Sequence, residues 1–206
     1  MCGRYIRKAD RQAMERHFEI VDGIDYFNIH GYKTSSEVFP GTPIFAINNQ
    51  HLPEDIWWTI RDLTWDGKMA DAIDAKAENL LKAKMFKEAF LTDRVLVPAT
   101  GLYEWQTQPD KSKTKYEIWF DEPIFAFAGI ARDCEIKGET KRCGVIVTTN
   151  PNDLFAEIHN TKMRQAVVIR SSDYNKWLDP KTPYEDLKTL LRPLPTEETH
   201  AKVAGT

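Results

Sequence analysis

Apolar and polar positions along this chain fall mostly into short runs rather than into a helical period. Runs of about four to eight residues rich in Val, Ile, Phe, Tyr and Trp, bounded by Gly, Pro, Asn or Asp, are typical of β-strands. We predict strands at 44–47, 56–63, 94–98, 116–120, 124–128, 144–148 and 166–169. Turns are expected at 39–43, at 66–67, and around Lys113 and Gly138.

A few segments follow the helical period instead. Met14 and Phe18 lie four positions apart with charged residues around them, which predicts a short helix over 8–18. Between residues 75 and 90 apolar side chains recur at threes and fours with lysines between them, which predicts a longer amphipathic helix. Short helices are also expected at 151–158 and 174–177.

The predicted strands do not alternate with helices as parallel βαβ units require. We therefore predict an α+β fold, with one domain over residues 1–195. Its centre is a mostly antiparallel, curled and barrel-like sheet with peripheral helices. The polar segment 196–206 is expected to be a flexible C-terminal tail.

Composition narrows the class of protein. The 206 residues are 42% hydrophobic and 29% charged, which fits a domain with a real core and excludes collagen, coiled coil and wholesale disorder. No apolar run approaches the roughly 20 residues that a membrane span needs, and the first residues form no apolar signal segment. We expect a cytoplasmic protein without membrane contact. A net charge of −3 gives no general basic footprint, so any nucleic-acid binding must use a local patch.

Cysteine and histidine spacing argues against a metal centre. The chain has three cysteines and five histidines, without a CxxC, HxH or HxxxH pair. The odd cysteine count also fits a reducing compartment without a disulfide framework. We expect neither a metal nor another cofactor.

Cys2 is the first candidate for chemistry. Removal of Met1 would place an α-amine and a thiol on one carbon, with reference pKa values of about 7.7–8.0 and about 8.5. Such a pair can condense with an aldehyde to a Schiff base and then close a five-membered thiazolidine. The alternative is that position 2 holds a small residue with no special role.

Glu104 and His159 are the other candidates. Glu104 stands between Tyr103 and Trp105 after an apolar strand, so partial desolvation would favour its protonated form and suit a general acid. The alternative is a strand residue that points to solvent. His159 follows a predicted short helix, and its titration range suits proton transfer, although a lone histidine is also common as a structural residue.

Taken together, these elements resemble a known family. The SRAP family (SOS-response-associated peptidase, the abasic-site-processing proteins) carries similar motifs in the same order. In this chain they are Met1-Cys2-Gly3-Arg4-Tyr5, Pro98-Ala99-Thr100-Gly101-Leu102-Tyr103-Glu104-Trp105, Phe127-Ala128-Gly129-Ile130, and Thr148-Thr149-Asn150 followed by Ile158-His159. The start motif and the Gly-x-Tyr-Glu-Trp element are the most specific, and the resemblance runs from Cys2 to about Leu178.

The resemblance implies a compact, mainly β fold with a positively charged groove for single-stranded DNA. It implies that the protein removes its own Met1 and that Cys2 then forms a thiazolidine crosslink with the aldehyde of an abasic site, which shields the lesion. Glu104 would be the acid–base that opens the sugar ring, and His159 would support the Schiff-base step and the ring oxygen.

DNA-binding roles follow in part from the resemblance and in part from residue type. Arg4 would hold backbone phosphate, because cationic side chains give a salt-sensitive, sequence-independent grip. Tryptophans offer stacking platforms to unpaired bases, and the alternative for each of them is a core residue. The expected DNA-binding set is Arg4, Trp58, Asp74, Lys76, Trp105 and Arg164.

The sequence departs from the family pattern at several positions of the expected groove. Asp74 and Lys76 stand where the family has Asn and Arg, and Glu37 begins a segment that reads Asn-x-Ala-Pro in the family. An aspartate near the α-amine would raise the pKa of the amine and slow its attack at neutral pH. Lys76 lacks the bidentate fork with which arginine holds phosphate.

Two other functions remain open from the sequence. One is an N-terminal-nucleophile amidohydrolase in which the Cys2 thiolate attacks a carbonyl carbon. The other is a non-catalytic DNA-binding module on the same scaffold, with a groove weakened by Glu37 and Asp74. In each case we expect a monomer.

Overall fold

The computed structural model describes residues 3–20, 23–63 and 67–205. The strands are β1 Tyr5–Arg7, β2 Ser35–Val38, β3 Pro43–Ile47, β4 Pro53–Trp58, β5 Ile60–Leu63, β6 Met69–Ala72, β7 Asp74–Lys76, β8 Arg94–Ala99, β9 Gly101–Thr107, β10 Lys113–Phe120, β11 Phe125–Ile136, β12 Glu139–Thr149, β13 Gln165–Ala166, β14 Val168–Ile169 and β15 Thr199–Val203. The α-helices are α1 Arg11–His17, α2 Gly23–His30, α3 Lys84–Thr92, α4 Asp153–Ile158, α5 Tyr174–Leu178 and α6 Tyr184–Leu190, and single 3-10 turns cover Ala77–Asn79, Ser171–Asp173 and Thr196–Glu198.

Five strands close into a barrel. Hydrogen bonds connect β12 to β4, β4 to β3, β3 to β8, β8 to β11, and β11 back to β12. The β11–β12 hairpin turns around Gly138, and its register runs from Gly129 opposite Ile146 to Ile136 opposite Glu139. Within the described part of the chain, only the pairings of β12 with β4 and with β7 are parallel. The predicted α+β class and the curled, mostly antiparallel sheet are confirmed.

Gly144 lies where the barrel closes. It is opposite Ala131 of β11 on one side and Trp58 of β4 on the other. A Cβ atom at this position would lie 2.5 Å from Ile56 Cδ1 and 3.0 Å from the carbonyl oxygen of Ile130. Glycine is therefore required here by space, because β12 must approach both neighbours at once.

A second sheet has five strands in the order β15-β10-β9-β1-β2. β1 is an internal strand although it comes near the start of the chain, with Tyr5 opposite both Leu102 of β9 and Val38 of β2. This arrangement fixes the first described residues beside β9, which carries Glu104.

Alternate residues of the barrel strands enter two apolar clusters. One cluster is shared with the helices and includes Phe90 and Trp177, and the other is shared with the second sheet and α4. All six residues of β8 are buried as a result. This double burial explains why β8 appears in the sequence as a continuous apolar run rather than an alternating one.

A buried arginine ties the helices to the barrel. Arg94 is 1% exposed and donates hydrogen bonds to the carbonyl oxygens of Phe90, Leu91, Trp177 and Asp179. These carbonyls belong to the ends of α3 and α5, whose last turns lack intrahelical donors. The guanidinium therefore caps two helices at once.

The longer predicted helix was wrong in its first half. The segment expected to be helical from residue 75 begins as β7, continues as the 3-10 turn, and becomes α3 only at Lys84. β7 pairs in parallel with β12, with Ala75 opposite Val147, and this tertiary pairing overrides the local period. The apolar residue Leu80 is buried without belonging to a helix.

Several smaller expectations also need correction. The predicted strand 56–63 is interrupted at Thr59, which separates β4 from β5. The turn expected near Lys113 lies earlier, between Gln108 and Ser112, and Lys113 already begins β10. Of the turn predicted at 66–67, residue 66 lies outside the described residues.

The C-terminal segment is not a frayed tail. Residues 199–203 form β15 and pair with β10, with Phe120 opposite Thr199 and Tyr116 opposite Val203. Thr199 is buried and accepts a hydrogen bond from the Asn152 amide. The polar composition misled the prediction because an edge strand needs an apolar residue only on the side that faces the core.

Among the described helices, none is long and apolar enough to span a membrane.

Candidate active site

Glu104 is a buried carboxylate on β9. It is 2% exposed and lies opposite Tyr116 of β10. Because side chains alternate along a strand, Glu104 shares its face with Leu102 and Gln106, and Gln106 donates to the carbonyl oxygen of Glu157 in α4. Glu104 therefore faces α4 and the residues that follow this helix.

His159 is the residue at which α4 ends. Asn152 caps the other end of the helix by accepting from the backbone N–H of Phe155, and the N–H of His159 donates to the Phe155 carbonyl. The next residue, Asn160, exchanges two hydrogen bonds with the backbone of Thr107. This bridge fixes the end of α4 against the end of β9, and so brings His159 to Glu104.

The two side chains form a close, buried pair. His159 Nε2 lies 3.8 Å from Glu104 Oε2, and the two side chains are 7% and 3% exposed. His159 Nδ1 lies 2.8 Å from the carbonyl oxygen of Arg164 and so carries the proton that it donates there. In the neutral imidazole Nε2 is then the acceptor nitrogen, and it faces the carboxylate.

The pKa of His159 is lowered below its ordinary value. Burial is the main cause, because it disfavours the charged imidazolium, and Lys162 acts in the same direction. The hydrogen bond to Arg164 and the charge of Asp74 oppose this shift without reversing it. The imidazole is therefore neutral at pH 7 and can accept a proton at Nε2.

The pair opens onto a cleft of about 180 Å³. Besides Glu104 and His159, the cleft is lined by Trp105, Thr107, Lys113, Thr161 and Lys162. A cleft lined by a carboxyl group, an imidazole, two lysines and an aromatic ring suits a small anionic or nucleotide-like group.

Asp74 and Lys76 extend from β7 near this pair. Asp74 accepts a hydrogen bond from Thr148 Oγ1 at 3.3 Å, and its charge acts on His159 as described above. Lys76 is exposed and lies opposite Thr148 in the β7–β12 register. Their DNA-binding roles stay predictions, but both lie on the strand that borders the candidate site.

Arg164 has structural contacts that the sequence did not indicate. Its guanidinium donates to both Glu78 carboxylate oxygens, at 2.7 and 3.1 Å, and to the Thr148 carbonyl oxygen at 2.7 Å. Burial is the largest single influence on the pKa of Glu78 and raises it, but the hydrogen bond and charge of Arg164, a backbone hydrogen bond and the charge of Lys76 together lower this pKa below its ordinary value. Because the Arg164 carbonyl accepts the His159 Nδ1 proton, this ion pair also supports the orientation of His159.

Trp58 is not a stacking platform, which corrects the expectation for this residue. It is fully buried, and its indole Nε1 donates to the carbonyl oxygen of Ile73. Its ring packs beside Tyr5 in the cluster that the barrel shares with the second sheet. A tryptophan in β4 with an internal partner for its one donor is a core residue.

Glu104 is on one face of the second sheet, and Arg4 and Trp105 are on the opposite face. The guanidinium carbon of Arg4 is 4.8 Å from the ring centre of Phe39 and 5.1 Å from that of Trp105. Trp105 also lines the cleft, so it connects this outer surface with the Glu104–His159 pair. Cys2, the expected nucleophile, lies outside the described residues.

Sequence reasoning missed the lysines of this region. Lys113 and Lys162 line the cleft, and Lys115 is close to the rings of Tyr103 and Trp105. A signal was present, because Lys113 and Lys115 stand two apart on a strand and so share one face. Lys162 follows His159 in a loop, where no regular alternation of side chains predicts which way a residue faces.

Comparison with solved structures agrees with this architecture. A crystal structure of a protein from Bacteroides thetaiotaomicron superposes with a TM-score of 0.85 at 24% identity, and the match covers 98% of this chain and 91% of that one. A crystal structure of a protein from Bordetella bronchiseptica gives a TM-score of 0.81 at 17% identity, over the full length of both chains. These likenesses establish the fold.

Sequence comparison identifies relatives and a family. The abasic site processing protein YoqW of Bacillus subtilis is 30% identical over 210 residues, which cover 98% of this chain and 91% of YoqW. The abasic site processing protein YedK of Escherichia coli is 26% identical over 186 residues, or 86% of this chain and 79% of YedK. Residues 1–205 match the SOS response associated peptidase (SRAP) family. The chain therefore belongs to the SRAP family.

Proposed function

We propose that this protein captures abasic sites in single-stranded DNA by forming a thiazolidine with the amine and thiol of Cys2 once Met1 is removed. Membership of the SRAP family supports abasic-site processing, since relatives that match nearly the whole chain carry that name. The observation that carries the proposal is the buried Glu104–His159 pair, 3.8 Å apart at the cleft.

The register of the second sheet supports a reaction of Cys2 beside this pair. Tyr5 is opposite Leu102, and the N–H of Tyr103 donates to the carbonyl oxygen of Arg4. The same register continued by two residues beyond Tyr5 leads to Gly3 opposite Glu104. Cys2 is joined to Gly3 by one peptide bond, so their Cα atoms are about 3.8 Å apart.

Opening of the sugar is the first step that the pair would assist. An abasic deoxyribose is mostly a cyclic hemiacetal, and ring opening removes the anomeric hydroxyl proton and adds a proton to the ring oxygen. A buried carboxyl group and a neutral imidazole can hold one proton between them, so one group donates while the other accepts. Glu104 has the role of acid–base in this step, and His159 supports the ring oxygen.

Condensation follows at the aldehyde. The neutral α-amine attacks the carbonyl carbon, and after proton transfer the oxygen leaves as water to give the Schiff base. The Cys2 thiolate then attacks the same carbon, and the nitrogen takes up a proton to complete the thiazolidine. Proton transfers to and from nitrogen and oxygen are the work of general acids and bases near neutrality, which the Glu104–His159 pair would supply.

DNA would be held by cations around the cleft. Lys113 and Lys162 line it, while Lys76 lies on β7 and Arg4 lies directly before β1. Contacts of this kind read no base sequence and weaken with salt. Trp105, half-buried at the cleft wall, is the remaining candidate to stack on an unpaired base.

The proposal is tested with an oligonucleotide whose single uracil has been excised. Mature protein should give an adduct that survives denaturing electrophoresis, and Cys2→Ala should abolish it. Cys2→Ser separates the proposal from an amidohydrolase, because a hydroxyl nucleophile could retain part of that activity but cannot form a thiazolidine. Absence of an adduct between pH 6 and 9 would contradict the proposal and favour a non-catalytic DNA-binding module.

The roles of the pair are tested separately with substitutions that remove each ionisable group and keep a polar side chain. Glu104→Gln and His159→Gln should each slow adduct formation by about 10²–10⁴-fold, the usual contribution of general acid–base catalysis. His51→Asn is the matched control, because His51 lies in a turn after β3 with a positive φ of 60° that asparagine tolerates. Equal rates for all three variants would exclude the pair from the reaction.

Removal of Met1 is tested by intact mass. Protein made in a translation system without methionine aminopeptidase should still lose Met1 if the chain removes it itself. Retention of Met1 would contradict self-processing without affecting the crosslinking test, which can use protein matured by the aminopeptidase.

A further inference from the structure

One carboxylate on the outer face of the second sheet is bound to two cations. Glu37 of β2 forms ion pairs with Arg4, at 3.5 Å, and with Lys115 of β10. The side chains of Glu37, Arg4 and Lys115 are 26%, 40% and 31% exposed. We call these three residues the Glu37 clamp.

The clamp is surrounded by aromatic rings. Arg4 lies between Phe39 and Trp105, and the Lys115 ammonium is 3.8 Å from the ring centre of Tyr103. Phe39 is 40% exposed. Trp105 is half-buried, whereas Tyr103 is buried. Cations beside accessible rings such as that of Phe39 are the usual composition of a surface that binds single strands, because phosphates meet the cations and bases meet the rings.

The Glu37 carboxylate is an internal anion that already binds the two cations of this surface. Its backbone is held in place, since the Ser35 hydroxyl donates to the Glu37 carbonyl and accepts from the Glu37 N–H. A carboxylate accepts from arginine and lysine much as a phosphate does. A DNA phosphate that approaches Arg4 or Lys115 must therefore replace an internal partner.

We infer that Glu37 is a specificity-determining residue that competes with DNA phosphate for Arg4 and Lys115. This inference rests on the proposed binding of single-stranded DNA. The clamp lowers affinity for undamaged strands, so that retention on DNA depends more on covalent capture at a lesion than on the electrostatic grip. Trp105 links the clamp to the cleft, since its ring borders both.

The test measures non-covalent binding of an undamaged, fluorescently labelled oligothymidylate by anisotropy. Glu37→Gln should bind more tightly than the unchanged protein, and the gain should be largest at low salt. Release of one or two cations for phosphate contacts should steepen the log–log salt dependence by about 0.7–1.4. Between 50 and 200 mM salt the gain should therefore shrink by about three- to sevenfold.

Glu139→Gln is the matched control. It removes the same charge and releases Lys141, which lies 4.9 Å from the ring centre of Trp57 on another part of the surface. It should change neither the affinity nor the salt dependence beyond the small effect of net charge. In the double variant Glu37→Gln/Lys115→Met, part of the gain should be lost, because one of the two released cations is missing.

Two outcomes would overturn the inference. One is an unchanged affinity and salt dependence in Glu37→Gln, and the other is an equal gain in Glu139→Gln. Both can be reached while the abasic adduct forms normally, in which case the proposed function stands. Conversely, tighter and more salt-sensitive binding by Glu37→Gln without any adduct would support the clamp and contradict the crosslinking proposal.

Discussion

Replacement of Arg164 by methionine tests whether this residue supports the fold and the orientation of His159 or instead contacts DNA. Methionine keeps the apolar stem and removes every guanidinium donor. Arg164 is 8% exposed, and its hydrogen bonds to Glu78 and to the Thr148 carbonyl oxygen are lost in the variant.

The expected cost follows from the burial of each partner. Loss of the charged hydrogen bond to the Thr148 carbonyl should cost about 1.5–3 kcal/mol. Glu78 is 51% exposed, so its ion pair is screened and should add only about 0–1 kcal/mol. Arg164→Met should therefore lower the free energy of unfolding by roughly 2–4 kcal/mol, or the melting temperature by roughly 4–16 °C.

Urea denaturation at several pH values measures this effect. The lowered pKa of Glu78 means that its contribution is present above its ordinary value of 4.5 and is lost as the pH falls through the folded-state value. The difference in the free energy of unfolding between the unchanged protein and Arg164→Met should therefore become smaller at acidic pH. A change below about 0.5 kcal/mol at pH 7, with a DNA-binding salt dependence about 0.7 shallower, would refute this reasoning and restore Arg164 as a phosphate contact.

Three further predictions concern other parts of the chain. Gly144→Ala should cost about 1–3 kcal/mol in urea denaturation, because the added methyl meets Ile56 and the backbone of the barrel closure; an unchanged midpoint would mean that β12 can shift. Asp74→Asn should speed adduct formation at pH 7, because an anion near the α-amine keeps it protonated; an unchanged or slower rate would place Asp74 away from the amine. The free energy of unfolding of the unchanged protein should fall as the pH drops below 6.5, because the pKa of His159 is lower in the folded state and the unfolded state therefore binds more protons. His159→Gln should lose this part of the pH dependence in parallel urea titrations.

The positions of most strands could be predicted because burial on one or both faces leaves a period in the sequence. The prediction for β8 agrees with its observed bounds to within one residue, whereas β10 and β12 begin three and five residues earlier than predicted. The partners of these strands could not be predicted, because pairing is set by packing between distant segments. The parallel pairing of β7 with β12 is one such case. Because of this pairing, a segment whose apolar period predicts a helix begins as a strand.

The same contrast between local sequence pattern and contacts of distant segments holds for the candidate site. Glu104 and His159 were identified one by one from neighbours in the sequence, and the fold brings them together. The Glu37 clamp was not predicted, since Lys115 and Glu37 are 78 positions apart and meet only because β10, β9, β1 and β2 are adjacent. Trp58 was misassigned because residue type does not tell an exposed ring from a buried one in a strand.

The central position of β1 in the second sheet has a consequence during protein synthesis. Tyr5 pairs with Leu102, and His159 comes later still in the sequence, so this part of the fold cannot be completed until most of the polypeptide has left the ribosome. At about 5–20 residues per second, the interval between Tyr5 and His159 lasts roughly 8–30 s. The first strand is therefore synthesised well before the buried pair of Glu104 and His159 can form.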